Sequence, residues 1–193
     1  RNRLIYIKNM MRTRGNEFYG SGVIKNTAAP NIDAIRNTGL SFNNVWVYPT
    51  CTPTRSSILT GKYGYRTSVK WASDKLAQSE EALQKYISDR TNNSYASAIV
   101  GKWHLSGNNN TANPESYGID YYAGLIRGAV TDYSRWEMTE DGSTSIQTTY
   151  TSEFFTDLST YFFKLIGSII INHFIFIQYL CFYIMAAMFF YMF

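Results

Sequence analysis

A chain of 193 residues is long enough for one domain with a buried core and short of the usual span of a large layered enzyme. The net charge of +4 does not describe a basic face: Arg1, Arg3, Lys8, Arg12 and Arg14 carry the excess, the other 13 basic and 14 acidic residues nearly cancel, and no nucleic-acid partner is expected. The two cysteines, Cys51 in a polar turn and Cys181 in an apolar run, give no basis for a disulfide framework or a zinc site.

The chain begins at an arginine, and no secretory signal is visible near its start. Residues 1–14 form a basic segment around Leu4-Ile5-Tyr6-Ile7, which reads as a strand. From Pro30, Ile32 and Ile35 stand three apart and the stretch stops at Gly39, the pattern of a short helix with proline in its first turn and glycine at its end. Residues 41–47 then favour a strand through Phe42, Val45, Trp46 and Val47. Pro53 suits the first turn of a second helix running to Gly61, with Cys51 at or just before its N-terminus, where anions are favoured. Ser79 is expected to cap a third helix with Glu80 and Glu81 in its first turn and Leu83, Tyr86 and Ile87 on one face, ending over residues 90–94.

Residues 95–100 read as a buried strand with Gly101, Lys102, Trp103 and His104 at its C-terminal edge, and residues 106–113 as a polar loop. Alternating helix and strand predict an α/β fold with a mainly parallel sheet, whose ligands bind beyond the C-terminal ends of the strands. From 15 to 160 the composition is that of a globular domain, whereas 161–193 form a hydrophobic tail. Its residues 165–193 carry no formal charge and would reach about 43 Å as a helix, more than the ~30 Å hydrocarbon layer, so a C-terminal transmembrane helix and a possible membrane location are expected.

The stretch Cys51-Thr52-Pro53-Thr54-Arg55-Ser56-Ser57-Ile58-Leu59-Thr60-Gly61 resembles the active-site signature of the type I, formylglycine-dependent sulfatases: Cys-x-Pro-Ser/Thr-Arg followed by Leu-Thr-Gly. Pro30-Asn31-Ile32-Asp33 resembles the stretch that precedes that signature, Gly101-Lys102-Trp103-His104-Leu105 a second family motif, and Tyr117-Gly118-Ile119-Asp120 a further one. The likeness covers about residues 15–160, the N-terminal part of a sulfatase domain, and implies an incomplete alkaline-phosphatase-like α/β fold. It implies a sulfuric ester hydrolase acting on sulfate monoesters, with the Cys51 carbon oxidised to formylglycine by a formylglycine-generating enzyme. In complete form such an enzyme is periplasmic, secreted or lysosomal. The alternatives are a phosphate or phosphonate monoester hydrolase of the same superfamily and a degenerate, non-catalytic membrane-anchored protein.

By the same resemblance Cys51, as the aldehyde hydrate, is the nucleophile and a ligand of Ca2+ or Mg2+, Arg55 orients it, Lys102 stabilises charge in the transition state, and His104 takes a proton as sulfate leaves. Family members open with a strand that ends in paired aspartates; here Lys8-Asn9-Met10-Met11 follow the first strand, and these do not replace hard anionic oxygens. The other metal ligands are therefore expected to be missing, and the chain reads as a fragment of impaired activity. His173 reads as a residue of the apolar tail, Asp120 and Asp132 as structural acids, and Ser56 and Ser57 as packing and capping groups within their helix.

Overall fold

The computed structural model describes residues 5–6, 40–41, 48–107, 114–167, 175–180 and 186–191. The helix expected over 30–39, residues 42–47 of the second strand, Lys8, Asn9, the 108–113 portion of the polar loop, His173 and Cys181 lie outside the described residues.

Strands β1 (Ile5–Tyr6) and β2 (Leu40–Ser41) pair in parallel. Helix α1 spans Cys51–Thr60, so the signature opens its first turn. Pro53 is tolerated there because the first amides of a helix have no intrahelical partner. The helix stops at Gly61, whose φ of 66° lets its N–H return to Ser57 O at 2.9 Å. Helix α2 (Gly64–Thr67) is tied to α1 by a 2.8 Å hydrogen bond between the Ser56 and Thr67 hydroxyls.

Helix α3 spans Leu83–Arg90, with Ala82 rather than Ser79 at its N-cap. The two glutamates precede the helix: Glu80 N–H closes a turn on Ala77 O, and the Glu80 carboxylate takes the Lys62 ammonium at 2.6 Å. Gln84 occupies the buried face of α3, while Tyr86 is exposed with its ring 4.5 Å from the Arg90 guanidinium carbon. Leu83 and Ile87 pack on the core as expected.

The main sheet has six strands: β3 (Ala98–Lys102), β4 (Tyr121–Leu125), β5 (Trp136–Glu140), β6 (Ser143–Gln147), β7 (Ile175–Leu180) and β8 (Ala186–Tyr191), in the order β6-β5-β4-β3-β7-β8. It is mixed rather than mainly parallel. Only the ladders on either side of β3 are parallel, and the outer ones are antiparallel. One cause is local: Glu140 pairs with Ser143 across Asp141-Gly142, both at positive φ, the two-residue turn that matches the twist of a hairpin. A short 3-10 helix (Pro114–Tyr117) precedes β4, and helix α4 (Thr151–Gly167) follows β6.

The single C-terminal helix expected over 165–193 is corrected: among the described residues of that range, Ile175–Leu180 and Ala186–Tyr191 are strands. The chain leaves α4 at Gly167 and returns as β7 beside β3, then folds back as β8. The tail is rich in isoleucine, phenylalanine and tyrosine, which suit a strand buried by its neighbours, and an apolar run alone does not distinguish such a strand from a helix. Among the described residues no helix is long and apolar enough to cross a membrane.

Successive residues of β3 point to opposite faces. Ile99 joins Leu59, Trp103, Tyr117, Tyr122 and Ile126 under α1 and α3, whereas Val100 joins Leu125, Trp136, Met138 and Phe155 against α4. Helices thus cover both faces of the sheet, and the β3 and β4 ends that carry Lys102 and Leu125 open toward the N-terminus of α1.

Candidate active site

The site is assembled where β3 ends. The N–H groups of Trp103 and His104 bond to the carbonyls of Leu125 (2.8 Å) and Ile126 (3.0 Å), which continues the β3–β4 pairing beyond the strand. His104 adopts a left-handed φ of 57°, sparsely populated for a residue with a side chain, and its N–H is held by the Ile126 carbonyl. Its imidazole lies against Gly128. A Cβ at that glycine would stand 2.5 Å from Cε1 and 2.6 Å from Nε2, so only glycine lets the ring occupy this place.

From that position His104 Nδ1 is 3.1 Å from Cys51 Sγ at the first turn of α1 and 3.3 Å from Thr52 Oγ1. The Thr52 hydroxyl donates to Ala72 O at 3.0 Å, which leaves its lone pairs to accept from Nδ1 once that nitrogen has taken up a proton. Arg55, one helical turn after Cys51, is 5% exposed and donates through one terminal nitrogen to Lys102 O at 2.8 Å. Its Nε is buried with no partner among the described residues. Lys102 is buried as well, and its ammonium lies beside Cys51 Sγ.

The electrostatics follow from this crowding. Burial pushes the Cys51 thiol up, but the hydrogen bond with His104 and the Lys102 charge outweigh it and lower the thiol from 9.0 to about 6. Burial lowers the Arg55 guanidinium to about 10, partly offset by Cys51 and Tyr122, and it stays charged at neutral pH. Burial first, and the Arg55 charge second, push the Lys102 ammonium down.

All four residues singled out from the sequence, Cys51, Arg55, Lys102 and His104, therefore meet at one place. Asp120 and Asp132 do not join them: Asp120 accepts from Ser97 N–H (2.7 Å) and hydroxyl (3.0 Å), and Asp132 from Ser134 N–H (2.8 Å). Thr52 and Gly128 were not singled out. The first sits at the variable position of the signature and the second in a loop without a motif, so only proximity to His104 reveals them. Among the described residues no group of three or more histidine, cysteine or carboxylate side chains is gathered to hold a metal, and the charges around Cys51 are cations. This donor set does not fit Ca2+ or Mg2+.

The sulfatase family model matches residues 12–177. An ulvan-active sulfatase from Formosa agariphila is 36% identical over 104 residues, 52% of this chain and 20% of that protein. An N-acetylglucosamine-6-O-sulfatase from Bacteroides thetaiotaomicron is 26% identical over 155 residues, 79% of this chain and 25% of its own length. Human arylsulfatase G is 33% identical over 107 residues, 52% of this chain and 19% of that protein. The chain thus spans about a quarter or less of the curated relatives it matches.

In fold, it is similar to the PsFucS1 sulfatase of a Pseudoalteromonas species, with a TM-score of 0.58 at 20% identity over 77% of this chain and 37% of that one. It is also similar to BT4656, solved with its substrate D-glucosamine-2-N,6-O-disulfate, with a TM-score of 0.57 at 24% identity over 70% and 26% of the two chains. With the family model covering most of the sequence, and the signature helix placed against the Lys-Trp-His strand end, this chain belongs to the sulfatase family.

Proposed function

We propose that the chain carries the nucleophile-bearing part of an enzyme that hydrolyses sulfate monoesters, with Cys51 converted to formylglycine. The observation that carries this reading is the 3.1 Å approach of His104 Nδ1 to Cys51 Sγ beside two buried cations, Arg55 and Lys102. A substrate that transfers a tetrahedral anion needs positive charge and a proton acceptor at one point, and this site gathers both.

The conversion of Cys51 is a two-electron oxidation of Cβ by dioxygen, delivered by a maturation enzyme. Cβ loses one hydrogen and the thiol the other, dioxygen taking the two electrons and being carried on to water by two more from a thiol reductant; water then replaces sulfur, which leaves as hydrogen sulfide. The hydrated aldehyde supplies one hydroxyl that attacks sulfur as the S–O bond to the departing alcohol breaks, and a second whose deprotonation breaks the C–O bond to sulfate and re-forms the aldehyde. Lys102 and the unpartnered Nε of Arg55 neutralise the charge on the sulfate oxygens. His104 accepts the proton at Nδ1, and Thr52 Oγ1 then accepts a hydrogen bond from the protonated nitrogen. The Ca2+ or Mg2+ implied by the family likeness requires carboxylates from outside the described residues, and no step here runs through it.

Co-expression with a formylglycine-generating enzyme, mass spectrometry of the Cys51 peptide and sulfate release from para-nitrophenyl sulfate test the reading together. Loss of sulfur from the peptide and sulfate release abolished by Cys51→Ala are expected, with a fall of about 100-fold or more for Lys102→Ala. Turnover of para-nitrophenyl phosphate in preference to the sulfate, or equal activity before and after maturation, would overturn it.

A further inference from the structure

The loop between β4 and β5 borders a cleft of about 550 Å³ that neither the signature nor the Lys-Trp-His motif accounts for. Its wall includes Ile126, Arg127, Asp132, Arg135 and Glu137. The cleft neighbours the reacting centre through the loop that lines it: the carbonyl of its wall residue Ile126 accepts the His104 N–H, and Gly128, next to wall residue Arg127, stands against the imidazole.

Both arginines of the cleft are exposed, and among the described residues neither makes an ion pair, a hydrogen bond or a ring contact. Nearby carboxylates do not occupy them. Asp132 is turned on Ser134 N–H at 2.8 Å, and Glu137 stands exposed on β5. Two planar guanidinium forks without partners are suited to bidentate contact with sulfate or carboxylate. Unpaired carboxylate oxygens in the same wall accept sugar hydroxyls. An aryl or steroid body, carrying a single charge, would leave both arginines unmet.

Resting on the sulfatase reading above, we propose that Arg127 and Arg135 form a subsite for a second anionic group, sulfate or carboxylate, of a sulfated carbohydrate. Calorimetric binding to the full chain tests this without turnover, using a singly sulfated glucosamine, a doubly sulfated glucosamine and a singly sulfated disaccharide carrying a uronate. The doubly charged probes are expected to bind about 10-fold or more tightly than the singly charged one. In an Arg127→Gln, Arg135→Gln chain that ratio falls toward one, while Arg127→Lys, Arg135→Lys keeps an intermediate value.

A gain confined to the disulfate assigns the subsite to sulfate, and one confined to the uronate assigns it to carboxylate. A ratio of one in the native chain, a ratio unchanged by the glutamine pair, or no binding of either doubly charged probe overturns the proposal. Sulfate release from the singly sulfated glucosamine by the matured protein is scored separately. Its failure counts against the hydrolase reading, and the binding ratio still decides the subsite.

Discussion

At Cys51 two opposing effects act on one thiol. Burial disfavours the thiolate, while His104 and Lys102 favour it, and the second pair wins by enough to bring the thiol to about 6. The group is an acid whose value is lowered, so the thiolate predominates above that pH and disappears below it. In the unmatured chain, iodoacetamide labelling of Cys51 is therefore expected to rise through a midpoint near pH 6. Lys102→Met removes one of the favourable charges and moves the midpoint up, slowing labelling at neutral pH by up to about tenfold. Gly128→Ala acts in the same direction by displacing the imidazole that its missing Cβ now accommodates. Labelling of the native chain with the midpoint of an ordinary thiol would contradict this account. At this scale the sequence was most informative: Cys51, Arg55, Lys102 and His104 carry motifs, whereas Thr52 and Gly128 serve His104 through contacts that no spacing encodes.

Among the elements, the β3–β4 ladder decides where those motifs face. Gly101 stands opposite Gly124 in the parallel register, with φ of 119° at Gly101, and a Cβ at Gly124 would run into the Gly101 carbonyl. Just beyond this close backbone approach Lys102 and His104 stand beside Cys51 of α1. Gly124→Ala is expected to destabilise the domain by about 1–3 kcal/mol, read from urea unfolding, because backbone rather than a flexible side chain must give way. An unchanged urea midpoint would mean that the strands separate without cost.

The same ladder explains a difference from the sequence reading, which placed the strand at 95–100 instead of Ala98–Lys102. Apolar character marks a strand but not its ends, and here Ser97 turns its N–H and hydroxyl on Asp120 just before the strand begins. For α3, the glutamates expected in the first turn precede the helix, with Glu80 paired across to Lys62. The Asp141-Gly142 hairpin was legible in principle, since that dipeptide supplies the two positive φ values that the turn needs. Long-range register, by contrast, depends on partners far along the chain.

At the scale of the whole molecule, the apolar tail carries the largest disagreement between sequence and structure, and its two readings make opposite demands on β3. All five β3 residues are buried, and the strand has neighbours on both sides because Ile99, Val100 and Gly101 pair with Phe176, Ile177 and Gln178. Were the tail a separate helix, β3 would already be an edge strand, and removing everything after residue 167 would leave its backbone hydrogen bonds as they were. With β7 in place, the same truncation strips one full ladder from the strand that carries Lys102. Hydrogen exchange at the β3 amides facing β7 is then expected to accelerate by about 10-fold or more, while the β5–β6 hairpin keeps its protection. Unchanged exchange in β3 would restore the helical reading of the tail. Faster exchange would make the tail part of the catalytic domain, because an edge created at β3 loosens the strand whose end aligns Lys102 and His104 with Cys51.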